Sequence, residues 1–150
     1  MSTAKGIAGG VPCGLMMAKE NVAKAFAPGD HASTFGGNPL ATAAGNVVVD
    51  ELLGGLLDNV KEQGAYLREQ LEKVAQKHKD LVKDVRGMGL MQGIELNKPA
   101  GPVVAKAIDL GLLLVGAGQF IIRFVPSLIV SKADIDTAME ILDKALESAE

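Results

Sequence analysis

Three groups of residues carry side chains that could do chemistry. Lys5 stands in Thr3-Ala4-Lys5-Gly6, among small residues. A lysine amine condenses with a carbonyl cofactor only in a dry setting that lowers its pKa, and small neighbours beside a glycine loop admit a flat ring. The alternative is a solvated charge, because lysine is rarely buried without a partner. The second group is His31-Ala32-Ser33-Thr34-Phe35-Gly36-Gly37-Asn38-Pro39. Hydroxyls and backbone amides just ahead of a helix start can hold an anion, or the same residues can simply cap the helix. The third is Arg123, a lone charge in the apolar run Ile121-Ile122-Arg123-Phe124-Val125. Its planar fork suits a carboxylate, either of a substrate or of an internal ion pair; an exposed strand face is the competing reading.

Other candidates carry less. The two histidines, His31 and His78, are too few and too far apart for a metal site, so no metal is expected. His78 falls along a helix face. Cys13 has no neighbour that would favour a thiolate and reads as packing. Arg86-Gly87-Met88-Gly89 lacks the spacing and the Lys-Ser/Thr ending of a phosphate loop, and reads as a turn.

These residues need elements to position them. Met1–Gly14 is rich in glycine and reads as loop. Leu15–Ala18 is a short strand candidate and Glu20–Phe26 at most a short helix, with Ala27–Gly37 again loop. Asn38 suits an N-cap and Pro39 the first helical position. The helix that follows, Leu40–Leu53, is apolar almost all round before Asp50, which predicts burial, with Gly54-Gly55 breaking it. A second helix over about 58–79 has the stripe Val60, Leu67, Leu71, Val74 and His78, which predicts a helix lying on a sheet. Leu81–Val85 and Leu90–Leu96 read as strands around Arg86–Gly89, Pro102–Asp109 as a helix stopped near Gly111, and Leu112–Val115 and Ile121–Phe124 as two more strands. Ser131 and Asp134 resemble a capping box before a last helix with the stripe Ile135, Ala138, Met139, Leu142, Ala145 and Leu146. From about residue 58 the order is helix, two strands, helix, two strands, helix, an α+β unit with a small sheet covered by helices.

Composition narrows the class further. Hydrophobic residues make up 48% but aromatics only 3%, so the core must be aliphatic. A net charge of −3 gives no electrostatic case for nucleic acid or an anionic membrane. No run of about 18 apolar residues appears, so no membrane span is expected. A single cysteine and no basic-then-apolar leader fit a cytoplasmic protein.

Four of these segments together resemble the class III pyridoxal-phosphate aminotransferases. Thr3-Ala-Lys5-Gly with Gly9-Gly-Val-Pro-Cys-Gly14 resembles their cofactor-lysine segment. Gly29-Asp-His-Ala-Ser-Thr-Phe-Gly-Gly-Asn-Pro39 is similar to their phosphate loop and following helix. Val85-Arg-Gly-Met-Gly-Leu-Met-Gln-Gly-Ile-Glu95 is similar to their small-domain hairpin, and Ile122-Arg-Phe-Val-Pro126 to a late strand. The four stand in the family's order, Lys5 and Thr34 are spaced as the family requires, and the wording is closest to its acetylornithine branch. Cys13, where an aliphatic residue is usual, and Ser127, where a second proline is common, depart from the pattern.

The resemblance implies a C-terminal portion. Residues 1–57 would be the end of the large cofactor domain with its connecting helix, and 58–150 the small α+β domain of a fold type I aminotransferase. It implies Lys5 as the catalytic lysine holding pyridoxal phosphate, and Thr34 as a phosphate ligand across a homodimer interface. Ser33 would touch substrate and Arg123 would pair with a carboxylate. It implies transamination between N-acetylornithine, as amino donor, and the 2-oxo acid 2-oxoglutarate, in arginine biosynthesis. Family members have a longer chain ahead of the lysine, which supplies the carboxylate for the pyridine nitrogen, and no segment here matches it. A chain that folds and self-associates without turning anything over is the other reading, and for the isolated chain inactivity is expected.

Overall fold

The structure, a computed structural model, describes residues 1–148, so the last two residues of the expected second domain lie outside it. It divides into two compact units, Met1–Gly55 and Leu56–Glu150.

The first unit has little regular structure before its one long helix. Strands β1 (Ser2–Thr3) and β2 (Leu15–Met16) form an antiparallel pair, with a 3-10 helix, Lys5–Ala8, between them, where loop alone was expected. A short helix α1 (Glu20–Ala23) follows, then a loop to α2 (Pro39–Glu51). Helix α2 starts as its sequence predicts: Asn38 is the N-cap, its side chain accepts the Ala41 N–H at 3.0 Å, and Pro39 fills the first turn. The expected burial of this helix is wrong. Within its unit only Ala41 of the helix is buried, while Leu40 and Val47 are 72% and 61% exposed. An apolar sequence says that a helix should be covered; it does not say that the cover is local. By length and composition alone the helical run from Pro39 also passes for a membrane span, against the expectation of none. Asp50 and Glu51 lie on that run, and Gly55, at φ 129°, interrupts it within a π-helical turn, Leu52–Leu56. The break expected at Gly54-Gly55 is thus present, with α2 ending at Glu51 and the next helix beginning at Leu57.

The second unit matches the α+β expectation. Helix α3 (Leu57–Lys77) leads into the hairpin β3 (Val82–Met88) and β4 (Met91–Leu96). Helix α4 (Gly101–Asp109), strands β5 (Val115–Ala117) and β6 (Ile121–Phe124), and helix α5 (Lys132–Glu147) complete it. The four strands form one antiparallel sheet in the order β3-β4-β6-β5. Two boundaries differ from the sequence reading. Arg86, Gly87 and Met88 are strand residues paired to β4, so the turn is only Gly89-Leu90, and β5 begins where its strand was expected to end. Hairpin pairing extends a strand through glycines that, read alone, look like a turn.

Alternation sends Val85, Ile94, Leu96, Ile122 and Phe124 to one face, where they pack in a single aliphatic core with Leu67 and Leu71 of α3 and Ile135, Leu142 and Leu146 of α5. Glu62 meets Lys132, Tyr66 meets Asp136 and Lys77 meets Asp143, so α3 and α5 run in the same direction. The capping box is present: the Asp134 N–H donates to Ser131 Oγ, and the Ser131 N–H donates to Asp134 Oδ2.

The tightest contact is α3 on the hairpin tip. A Cβ at Gly64 would lie 2.5 Å from the Gly89 carbonyl carbon and 2.7 Å from its oxygen. No rotamer relieves a clash with backbone, so Gly64→Ala should cost about 1–3 kcal/mol through overpacking. Gly101→Ala, at the open start of α4 with nothing within 4 Å, should stay within about 0.5 kcal/mol. Urea denaturation of both variants, at unchanged slope, checks this; equal midpoints would show that the crossing has slack.

Candidate functional site

Lys5 opens the 3-10 helix at φ 56°, and it is the one non-glycine residue with positive φ among those described. A residue with a Cβ pays about 1–3 kcal/mol for such a conformation, and residues held this way concentrate at functional sites. Its side chain is exposed, no described residue pairs with its amine, and added Cβ atoms at Gly6 and Gly10 would meet nothing within 4 Å. The space around Lys5 is therefore open to a ligand.

Helix α2 fixes this turn. Ala8, 1% exposed, is the buried residue of the 3-10 helix, and α2 packs against that helix. A Cβ at Gly45 would sit 3.5 Å from the Ile7 carbonyl oxygen, and one at Gly9 would sit 3.5 Å from Val48 Cγ2. Small residues at the contact let the helix lie directly on the Lys5 backbone.

The same helix fixes the hydroxyl loop. Asn38 ties it twice, accepting from Ala41 and donating from Nδ2 to the Phe35 carbonyl at 2.8 Å. Gly36 N–H donates to the Ser33 carbonyl, closing a turn in which Ser33 and Thr34 are exposed. Neither hydroxyl has a partner among the described residues, so both stand ready to bond an anion ahead of a 13-residue helix. Lys5 and the pair Ser33 and Thr34 are thus brought onto one scaffold. Asn38, read from the sequence only as a cap, is the residue that holds the loop.

Arg123 lies in the second unit, on the sheet face that no helix of that unit covers. The register sets Gly93 opposite both Arg86 and Arg123, and Val115 opposite Arg123. The two guanidinium stems therefore flank a position with no side chain, beside Met88, Met91 and Ile121 in a shallow depression. Their electrostatic situations differ. Arg86 is held by Asp84 at 2.6 Å and Glu95 at 2.7 Å, and those carboxylates, Asp84 first, raise its pKa further. Among the described residues no ion pair reaches Arg123. Of the two sequence readings for Arg123, the internal pair is thus absent among these residues. The arginine on the exposed face is also an arginine with an unmet fork.

The remaining sequence candidates are accounted for. Cys13 is half-buried and free, and no three-residue cluster that could hold a metal occurs among the described residues. His78 does more than line a helix face: it is buried and bonded to Asp143. Among the described residues, two buried amide oxygens, Gln63 Oε1 and Gln92 Oε1, have no hydrogen-bond partner, and both lie near the Gly64–Gly89 crossing. No sequence pattern marks either.

A family profile described as aminotransferase class-III matches residues 1–146. An acetylornithine aminotransferase of Caldanaerobacter subterraneus subsp. tengcongensis is 50% identical over 148 residues, which is 97% of this chain and 37% of that protein. The crystal structure of acetylornithine aminotransferase from Elizabethkingia anophelis superposes with a TM-score of 0.86 at 29% identity, over 98% of this chain and 40% of that one. An ornithine aminotransferase from Toxoplasma gondii, in which PLP partially occupies the active site, gives 0.88 at 28% identity, over 98% and 36%. The chain thus spans a little over a third of the length of the relatives it matches.

The loop analysis makes one prediction. Asn38→Ala removes the cap and should cost about 1 kcal/mol. Amide exchange at Ala41 and Thr42 should quicken first, because the Ala41 N–H loses its acceptor. Unchanged exchange there would mean that the Ser33–Gly37 turn holds itself.

Proposed function

The chain belongs to the class III aminotransferases, and from that premise we propose that it is the C-terminal portion of an acetylornithine aminotransferase in which Lys5 holds pyridoxal phosphate. The observation that carries this reading is the left-handed Lys5, set in open space and fixed by the same helix that presents Ser33 and Thr34. The donor set fits the cofactor at two points: an amine for its carbonyl carbon, and unpartnered hydroxyls before a helix N-terminus for its phosphate. Under this reading Met1–Leu57 ends the large cofactor domain and Asp58–Glu150 is the small domain.

When bound, the cofactor supplies a conjugated ring that draws off the electrons of the bond broken at the substrate's α-carbon. The chain's own residues do the rest. Lys5 Nζ accepts the α-proton of the amino donor as a base and gives a proton back as an acid. Thr34 Oγ1 donates to the phosphate, in a second copy of the protein across a dimer interface, and Ser33 Oγ touches the substrate. Arg123 binds a substrate carboxylate through its two-pronged fork, which no ion pair among the described residues occupies. The 50% identity to an acetylornithine aminotransferase supports N-acetylornithine as donor and 2-oxoglutarate as acceptor.

Borohydride reduction of the full-length enzyme loaded with pyridoxal phosphate, followed by peptide mapping, should place the pyridoxyl group on Lys5. Its appearance on Lys19 or Lys24 instead would overturn the assignment. The 150-residue chain alone leaves the Lys5 amine open to water, and preorganised electrostatics is usually the largest catalytic contribution. Purified by itself, it should transaminate acetylornithine no faster than free pyridoxal phosphate does; faster turnover would show that these residues form a working site unaided.

A further inference from the structure

We propose that His78 and Asp143 form an acid-loaded latch, a buried imidazolium–carboxylate pair that pins the C-terminal end of α5 to that of α3 and weakens as His78 loses its proton. His78 ends α3, its N–H bonded to the Val74 carbonyl, and its ring is 2% exposed. Its Nε2 lies 2.8 Å from Asp143 Oδ1. The other carboxylate oxygen, Oδ2, accepts from Lys77 Nζ at 2.5 Å, and Lys77 also reaches Glu147 at 2.9 Å.

Charge counting among the described residues favours the protonated ring. Lys77, Asp143 and Glu147 sum to one negative charge, so the four-residue cluster is neutral only when His78 is protonated. Among the described residues, Asp80 and Lys98 line the same polar depression as Lys77 and His78 and carry opposite charges. Lys79 follows His78 directly but is exposed to solvent. The helix directions add to this. Because α3 and α5 run the same way, the negative ends of both dipoles meet here, and a cation relieves them. Burial opposes the charge on His78, and it also pulls the Asp143 carboxyl upward. The bonds from Lys77 and His78 outweigh burial at Asp143, whose pKa is lowered overall. An ionised carboxylate only accepts, so Nε2 must carry a hydrogen.

The sign of the pH dependence follows. A histidine that keeps its proton longer in the folded chain than in the unfolded one stabilises the fold fully below the ordinary histidine range. That contribution is lost as pH rises through the folded midpoint. The turns most affected carry Leu142, Ala145 and Leu146, all fully buried, so loosening this end opens the core.

The test is an NMR titration of the His78 ring in the 150-residue chain, native and urea-unfolded. The native midpoint should lie at least about one pH unit above the unfolded one, and Asp143→Asn should bring it below, since burial is then less opposed. The thermal midpoint of wild type should exceed that of His78→Gln by more at about pH 6 than at about pH 9. A native midpoint at or below the unfolded value overturns the proposal, and the wild-type titration decides this even if Asp143→Asn does not fold. A midpoint that Asp143→Asn leaves unmoved, or a thermal difference that does not change with pH, overturns it as well.

Discussion

Both units depend on a helix lying directly on backbone, with glycine at the point of contact. In the first, α2 crosses the Lys5 turn at Gly45 and Gly9; in the second, α3 crosses the hairpin tip at Gly64 and Gly89. A close-packed interior has no slack, so a single Cβ at Gly64 must displace main chain rather than a side chain. Consequences follow from each contact. The α2 crossing holds Lys5 in a backbone region that other residues avoid, and the α3 crossing places the hairpin whose register aligns Arg86, Gly93 and Arg123.

The two units are built on different reserves. The second closes an aliphatic core between sheet and helices, with Leu71, Ile94, Ile122 and Leu142 wholly buried. The first buries little more than Ala8 and Ala41, and its helix presents Leu40 and Val47 to solvent. The role proposed for Lys5 on such a unit calls for a site completed by neighbouring surfaces, because a dry, preorganised setting cannot come from an open loop.

Periodicity made the second unit legible. The α3 stripe, the four strands and the Ser131–Asp134 box are all present, because in each case local pattern and tertiary packing agree. The misses have a common cause in contacts distant along the chain. Gly87 and Met88 read as turn until β4 pairs with them, and α2 read as buried because an apolar helix must be covered somewhere. The His78–Asp143 pair joins residues 65 apart, and no spacing announces it. The site was legible in part. Residue types singled out Lys5, Thr34 and Arg123, but the left-handed turn at Lys5 and the second role of Asn38 are properties of the folded backbone. That Arg86 is neutralised while Arg123 is not depends on Asp84 and Glu95, which sequence alone does not pair with either.

The central claim is that Lys5 bears the cofactor, and visible absorption of the full-length enzyme with pyridoxal phosphate tests it most directly, since a lysine-bound cofactor is coloured differently from the free one. The account predicts that the protein-bound band is present in wild type and in Lys19→Arg and Lys24→Arg, and absent from Lys5→Arg, whose guanidinium cannot condense with the cofactor's carbonyl. A Lys5→Arg protein that keeps the wild-type band would contradict it.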